Sequence, residues 1–210
     1  MKIVQYYEGD AVRLGRIEAE GLVPIPYDGD MIDFIRSGCH VIVATPTASG
    51  KTLVYDLPVL EHFLADPEAT ALYIFPLKAL AQDQVAELSE LNAAGDLGAR
   101  AFTFDGDTPG DARKAVRTRG DIVVSNPDML HQGILPHHTL WVKLFENLRY
   151  VVVDEAHTYR GIFGSQVAQV LRRLDRVAAF HGARAQIICA SATVAMGSVA
   201  CTTGRTRPSS

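Results

Sequence analysis

The sequence predicts an α/β fold, a parallel sheet with helices on both faces, and three observations predict it. From residue 41 onward, short β-branched runs alternate with longer stretches of helical periodicity, the order that builds β-α-β units. Several of the strand runs are almost continuously apolar, as strands covered on both faces are. The length of 210 residues and the apolar content of 48% suit one packed core.

Residues 1–40 read as an N-terminal lead-in segment, in which the stretch Glu20-Gly21-Leu22-Val23-Pro24-Ile25-Pro26 precedes a short helix near 30–37. Strands are expected at 41–44, 71–75, 100–104, 121–125, 150–154 and 186–190. Helices are expected at 51–64, 77–93, 109–117, 140–146 and 165–181. The main domain thus runs over 41–193. Residues 194–210 are rich in Ser, Thr, Gly and Arg without an apolar period, and are expected to be a disordered or non-native tail.

A net charge of −4 argues against a chain that coats nucleic acid by bulk electrostatics, yet it allows a narrow line of backbone contacts on one face. Basic residues cluster at Arg113, Lys114, Arg117 and Arg119 and at Arg172, Arg173 and Arg176, each readable as a solvated helix face. No apolar run approaches the roughly 18 residues of a membrane span, and the N-terminus has no long apolar stretch. A cytoplasmic location with no membrane contact is expected. Cys39, Cys189 and Cys201, odd in number and far apart, fit neither a disulfide framework nor a zinc cluster.

The strand Val41-Ile42-Val43-Ala44 feeds the loop Thr45-Pro46-Thr47-Ala48-Ser49-Gly50-Lys51-Thr52, and an apolar-periodic helix follows. This is the strand-loop-helix order of a P-loop, whose backbone N–H groups and helix N-terminus cradle the β- and γ-phosphates of ATP. Lys51 would neutralise phosphate oxygens and the Thr52 hydroxyl would ligate Mg2+, while Gly50 lets the backbone approach without a Cβ in the way. The general pattern starts with Gly where this chain has Thr45. Taken alone, the loop also reads as an ordinary strand-to-helix turn with a solvated Lys51.

Further on, Tyr150-Val151-Val152-Val153 delivers Asp154 and Glu155 to the C-terminal edge of a strand, the edge at which open parallel sheets bind ligands. Asp154 is expected to hold Mg2+ through water, and Glu155 to orient or deprotonate the attacking water. Acids capping a surface strand would explain the carboxylates but not their pairing with Lys51-Thr52. His157, in isolation a packed or solvated imidazole, is expected to make a polar link to the neighbouring strand, where Ser191-Ala192-Thr193 supplies hydroxyls. Catalysis is thereby assigned to Lys51, Asp154 and Glu155, and coupling to His157, Ser191 and Thr193.

The set Lys51-Thr52, Asp154-Glu155-Ala156-His157 and Ser191-Ala192-Thr193 resembles the first RecA-like domain of a superfamily-two helicase of the DEAH-box type. Phe75-Pro76-Leu77-Lys78, Asp105-Gly106-Asp107-Thr108, Asn126-Pro127-Asp128-Met129 and Thr158-Tyr159-Arg160-Gly161 add a resemblance to the bacterial mitomycin-repair helicases and their fungal RecQ-like relatives, over about residues 40–193. The resemblance implies ATP and Mg2+ as cofactors and a single-stranded nucleic acid, DNA, as tracking strand. It places Pro76, Lys78, Gly106, Thr108, Asn126 and Pro127 on the sugar-phosphate backbone; without it, each reads as a turn or helix-start residue. Such helicases carry an adenine-recognising glutamine upstream of the loop, where this chain has Tyr27-Asp28-Gly29-Asp30. They also continue into a second RecA-like domain that supplies arginine fingers, which residues 194–210 do not resemble, so this chain is expected to hydrolyse ATP poorly by itself. An RNA helicase, a duplex-translocating remodeller and a non-catalytic nucleotide-binding relic are the alternatives.

Overall fold

A computed structural model describes residues 3–8, 11–18, 21–24, 31–44, 51–95 and 98–191. It opens with three strands, β1 (Ile3–Glu8), β2 (Ala11–Glu18) and β3 (Gly21–Pro24), paired antiparallel with Ile3 opposite Arg16 and Gly15 opposite Pro24. This corrects the reading of residues 1–40, which foresaw only the helix. Gly15 inside a strand, arginines at 13 and 16 and prolines at 24 and 26 break the alternation that marks strands. The usable signal was the dipeptide Gly9-Asp10 in the sequence between Glu8 and its partner Ala11, a turn-forming pair of residue types.

The expected helix is α1 (Met31–Arg36), and the main domain follows as β4 (Val41–Ala44), α2 (Lys51–Ala65), β5 (Thr70–Ile74), α3 (Lys78–Gly95) and β6 (Ala101–Thr103). It continues through α4 (Gly110–Arg119), β7 (Ile122–Ser125), the short α5 (Pro127–Met129), α6 (Val142–Glu146), β8 (Leu148–Val153), α7 (Gly161–Phe180) and β9 (Gln186–Ser191). A π-turn at Leu130–Ile134 and a 3-10 segment at Leu135–Leu140 bridge α5 to α6. Helix α7 starts earlier than the expected 165, because Gly161 and Gly164 in its first turns carry no helical signal in the sequence. No helix among the described residues is long and apolar enough to cross a membrane.

Strands β4 to β9 form one sheet, wholly parallel, in the order β4-β9-β8-β5-β7-β6. Within each strand, alternate residues enter opposite cores. Ala71, Tyr73, Ile122, Val124, Tyr150 and Val152 meet Tyr55, Val59 and Phe63 of α2 and Ala81 and Leu88 of α3. Leu72, Ile74, Val123, Val151 and Val153 meet Val116, Trp141, Phe145, Val167 and Leu174 on the other side. The sheet is thus an α/β layer covered on both faces, the RecA-like arrangement.

Parallel pairing sends every strand's C-terminal end to one edge. Ala44 pairs with Ser191, Val153 lies between Ile74 and Cys189, and Ile74 pairs with Ser125. The opposite edge is closed by Asp121, whose carboxylate accepts from Arg100 Nε at 2.9 Å and Lys143 Nζ at 2.7 Å. Burial pushes this carboxyl up, but the hydrogen bonds from Arg100 and Lys143 outweigh it and hold the group below its ordinary value.

Candidate active site at the carboxyl edge of the sheet

The chain leaves β8 at Val153 and sets Asp154 at the edge, 7% exposed. Its Oδ1 accepts from the Glu155 N–H at 2.6 Å, and its Oδ2 accepts from the Tyr55 hydroxyl at 2.8 Å. Tyr55 stands on α2 three residues after Thr52, so both side chains lie on one flank of the helix. A Thr52 side-chain hydrogen bond reaches the same phenolic oxygen. Burial, then the Asp154 and Asp56 charges, push the Tyr55 hydroxyl far above its ordinary range, so it stays a proton donor. One hydroxyl therefore ties Thr52 in the first turn of α2 to the buried carboxylate of the acidic pair. The donor set is hard oxygen, the chemistry Mg2+ takes.

Glu155 has φ 48° and ψ 40°, and no other non-glycine described residue has a positive φ. Left-handed backbone at such a residue costs about 1–3 kcal/mol and concentrates at functional sites. The turn it starts is held by the Thr158 N–H and hydroxyl, both donating to the Glu155 carbonyl at 2.8 Å. His157 Nδ1 lies 3.0 Å from Glu155 Oε2, an ion-pair distance, without making a hydrogen bond. The imidazole thus turns to the glutamate of its own segment, while Ser191 ends the adjacent strand β9, buried. Thr45, Pro46, Thr47, Ala48, Ser49, Gly50 and Thr193 lie outside the described residues, and Lys51 opens α2.

The remaining site residues follow β5, β6 and β7 along the same edge. Pro76 precedes α3, whose first residue Lys78 is exposed and paired with Asp107. In the loop after β6, Asp105 and Thr108 bond each other: the Asp105 N–H donates to Thr108 Oγ1 at 2.9 Å, and the Thr108 hydroxyl donates to Asp105 Oδ1 at 3.2 Å. Arg113 clasps this loop by donating to the carbonyls of Thr108 at 2.8 Å and Gly106 at 3.1 Å. Asn126 caps α5 by accepting the Met129 N–H at 2.8 Å, with Pro127 at the first helical position. These residues hold turns and helix starts on one rim of the sheet.

Sequence reasoning missed the polar cluster beneath the site. Tyr73 donates to Asp56 Oδ1 at 2.9 Å, Gln84 Nε2 donates to Asp56 Oδ2 at 2.8 Å, and Gln84 Oε1 lies 3.3 Å from the Tyr55 hydroxyl. Asp56 is fully buried, and burial pushes its carboxyl up to about 7 against the two hydrogen bonds. The cue was positional: Asp56 and Gln84 occupy steps of otherwise apolar helix stripes, next to Val59, Leu60, Ala81 and Leu88. Arg113, readable in sequence as part of a solvated helix face, instead clasps the loop after β6, and Tyr159 is buried behind the acidic turn with its hydroxyl unpartnered.

Comparison with known proteins agrees with this geometry. The DEAD/DEAH box helicase family model matches residues 26–200. The chain belongs to the DEAD/DEAH box helicases. Among relatives of this family, the uncharacterized ATP-dependent helicase YprA of Bacillus subtilis is 55% identical over 162 residues, which is 77% of this chain and 22% of YprA. The ATP-dependent helicase hrq1 of Schizosaccharomyces pombe is 44% identical over 171 residues, 80% of this chain and 16% of hrq1. The crystal structure of the DUF1998 helicase MrfA bound to DNA and AMPPNP superposes with a TM-score of 0.77 at 54% identity, covering 79% of this chain and 23% of MrfA. The chain therefore spans less than a quarter of the length of these helicases.

Proposed function

We propose that this domain is the ATP-binding first RecA-like motor domain of an ATP-dependent DNA helicase of the DNA-repair type, acting in the cytoplasm. The observation that carries the reading is the meeting of Thr52 and Asp154 on one Tyr55 hydroxyl, at the edge where the acidic turn and the P-loop helix converge. Residues 45–52 cradle the phosphates, with Lys51 neutralising their oxygens. Thr52 and Asp154 hold Mg2+, which when bound offsets charge developing on the phosphoryl oxygens. Glu155 orients or deprotonates the attacking water, and His157, Ser191 and Thr193 couple that event to the rim. Pro76, Lys78, Gly106, Thr108, Asn126 and Pro127 hold a single DNA strand by its backbone, which suits a motor that steps along any sequence. DNA as substrate is supported by MrfA, whose structure holds DNA and a nucleotide.

Catalysis at full rate needs a second RecA-like domain, because arginine fingers contribute about 10³–10⁵ in rate to phosphoryl transfer. Alone, this domain binds ATP and turns it over slowly. A fluorescent ATP analogue titrated into wild type and Lys51→Ala tests the site, with binding expected for wild type and a loss of at least tenfold in the variant. Equal binding by both proteins sinks the phosphate-loop assignment.

A further inference from the structure

The buried cluster joins four elements and ends on the acidic pair. Asp154 Oδ2 receives its bond from Tyr55 on α2, Gln84 on α3 stands beside that hydroxyl, and Asp56, which also accepts from the Tyr73 hydroxyl, holds Gln84 in turn. Tyr55 has one proton. Of its two acceptors, Asp154 Oδ2 at 2.8 Å is nearer than Gln84 Oε1 at 3.3 Å, so the proton goes to the carboxylate. Gln84 is fixed by its donation to Asp56, which leaves its carbonyl oxygen toward Tyr55. The Tyr55 ring meets the Tyr73 ring edge-on, centroids 5.8 Å apart, so neither phenol can swing away without opening the core.

We propose that Tyr55 is a positioning residue for the metal site, orienting the Asp154 carboxylate toward the Thr52 hydroxyl, and that the Gln84 amide and the edge-on Tyr73 ring keep Tyr55 in place. The inference rests on the reading of Thr52 and Asp154 as the Mg2+ ligands. With Oδ2 taken by the phenol and Oδ1 by the Glu155 N–H, the carboxylate plane is set before any ligand arrives. Removing a hydrogen-bond partner that orients a metal ligand costs about 10- to 100-fold in metal affinity. Tyr55 touches neither nucleotide nor phosphate in this scheme.

The test uses the whole 210-residue chain and a fluorescent non-hydrolysable ATP analogue, titrated once in EDTA and once in saturating Mg2+, with Mn2+ half-saturation of the nucleotide complex read by electron paramagnetic resonance. Wild type is expected to bind more tightly with Mg2+. Tyr55→Phe keeps the ring, so its affinity in EDTA stays within about twofold of wild type, while half-saturation by Mn2+ rises about tenfold or more. Tyr73→Phe removes a hydroxyl from the same core without touching Asp154, and should leave the Mn2+ value unchanged. An unchanged Mn2+ value in Tyr55→Phe, or an equal rise in Tyr73→Phe, overturns the proposal. A wild type indifferent to Mg2+ and Mn2+ instead overturns the underlying ligand reading, and the proposal with it.

Discussion

The two faces of the parallel sheet are built from different materials. Against α2 and α3, the core includes Tyr55, Tyr73, Asp56 and Gln84, all buried and bonded to one another. Against α4, α6 and α7, it is almost wholly apolar, centred on a fully buried Trp141 that meets Phe104 edge-on at 4.7 Å and lies beneath Arg117. One face is a scaffold that resists deformation by packing. The other exchanges some of that packing for hydrogen bonds, which have direction and so can aim a carboxylate.

The sharpest test of this contrast is Trp141→Ala. Deleting a fully buried indole costs about 3–5 kcal/mol, yet nucleotide affinity of the remaining folded protein should stay within about twofold, measured by denaturation and by analogue titration. A large loss of affinity beyond the unfolded fraction would erase the distinction between the faces. Gly164→Ala comes next. A Cβ there would stand 2.4 Å from the Tyr159 carbonyl oxygen and 2.7 Å from its carbon, so the backbone behind the acidic turn must move. We expect about 1–3 kcal/mol of destabilisation, with ATP turnover falling further than folding accounts for. Turnover unchanged at full occupancy would show that the acidic turn does not depend on that packing.

The smallest expected effect is also the one most specific to the polar face. Asp56 has a folded pKa raised to about 7, under burial and the Glu87 and Asp154 charges, with Tyr73 and Gln84 opposing. A raised carboxyl binds its proton more tightly in the folded state. Its contribution to stability is therefore greatest below the ordinary value near 4, declines between about 4 and 7, and stays at its low level above. Asp56→Asn should stabilise the protein by about 1–2 kcal/mol at pH 8 and lose most of that advantage at pH 5, in paired urea melts. The same advantage at both pH values would mean that the buried carboxyl is not titrating in this window.

The same contrast explains what could be read from the sequence. Strands such as Val151-Val152-Val153 announce themselves because a strand covered on both faces must be apolar at every position. The placement of Asp154 and Glu155 just past a strand's carboxyl end, and of Lys51-Thr52 at a helix start, was legible because an apolar run stops before the acids and an apolar-periodic run follows Thr52. Asp56 and Gln84 were not, since a polar residue on a helix looks solvated until the strand beneath it is known, and Tyr73 supplies the partner from a different element. The first hairpins hid for another reason: their strands carry glycine, arginine and proline in place of alternating apolar residues.

Glu155 gives its left-handed backbone a purpose beyond a turn. Val153 belongs to the Trp141 face and Asp154 reaches Tyr55 on the other. Had the chain stayed extended, Glu155 would have alternated back toward the apolar face, with a charge to bury. Reversing the sign of one dihedral angle takes Glu155 out of that alternation, and its carboxylate meets His157 of its own turn. The pair is thus a product of backbone handedness as much as of side-chain chemistry, and a substitute at 155 must be able to make that turn as well as carry a carboxylate.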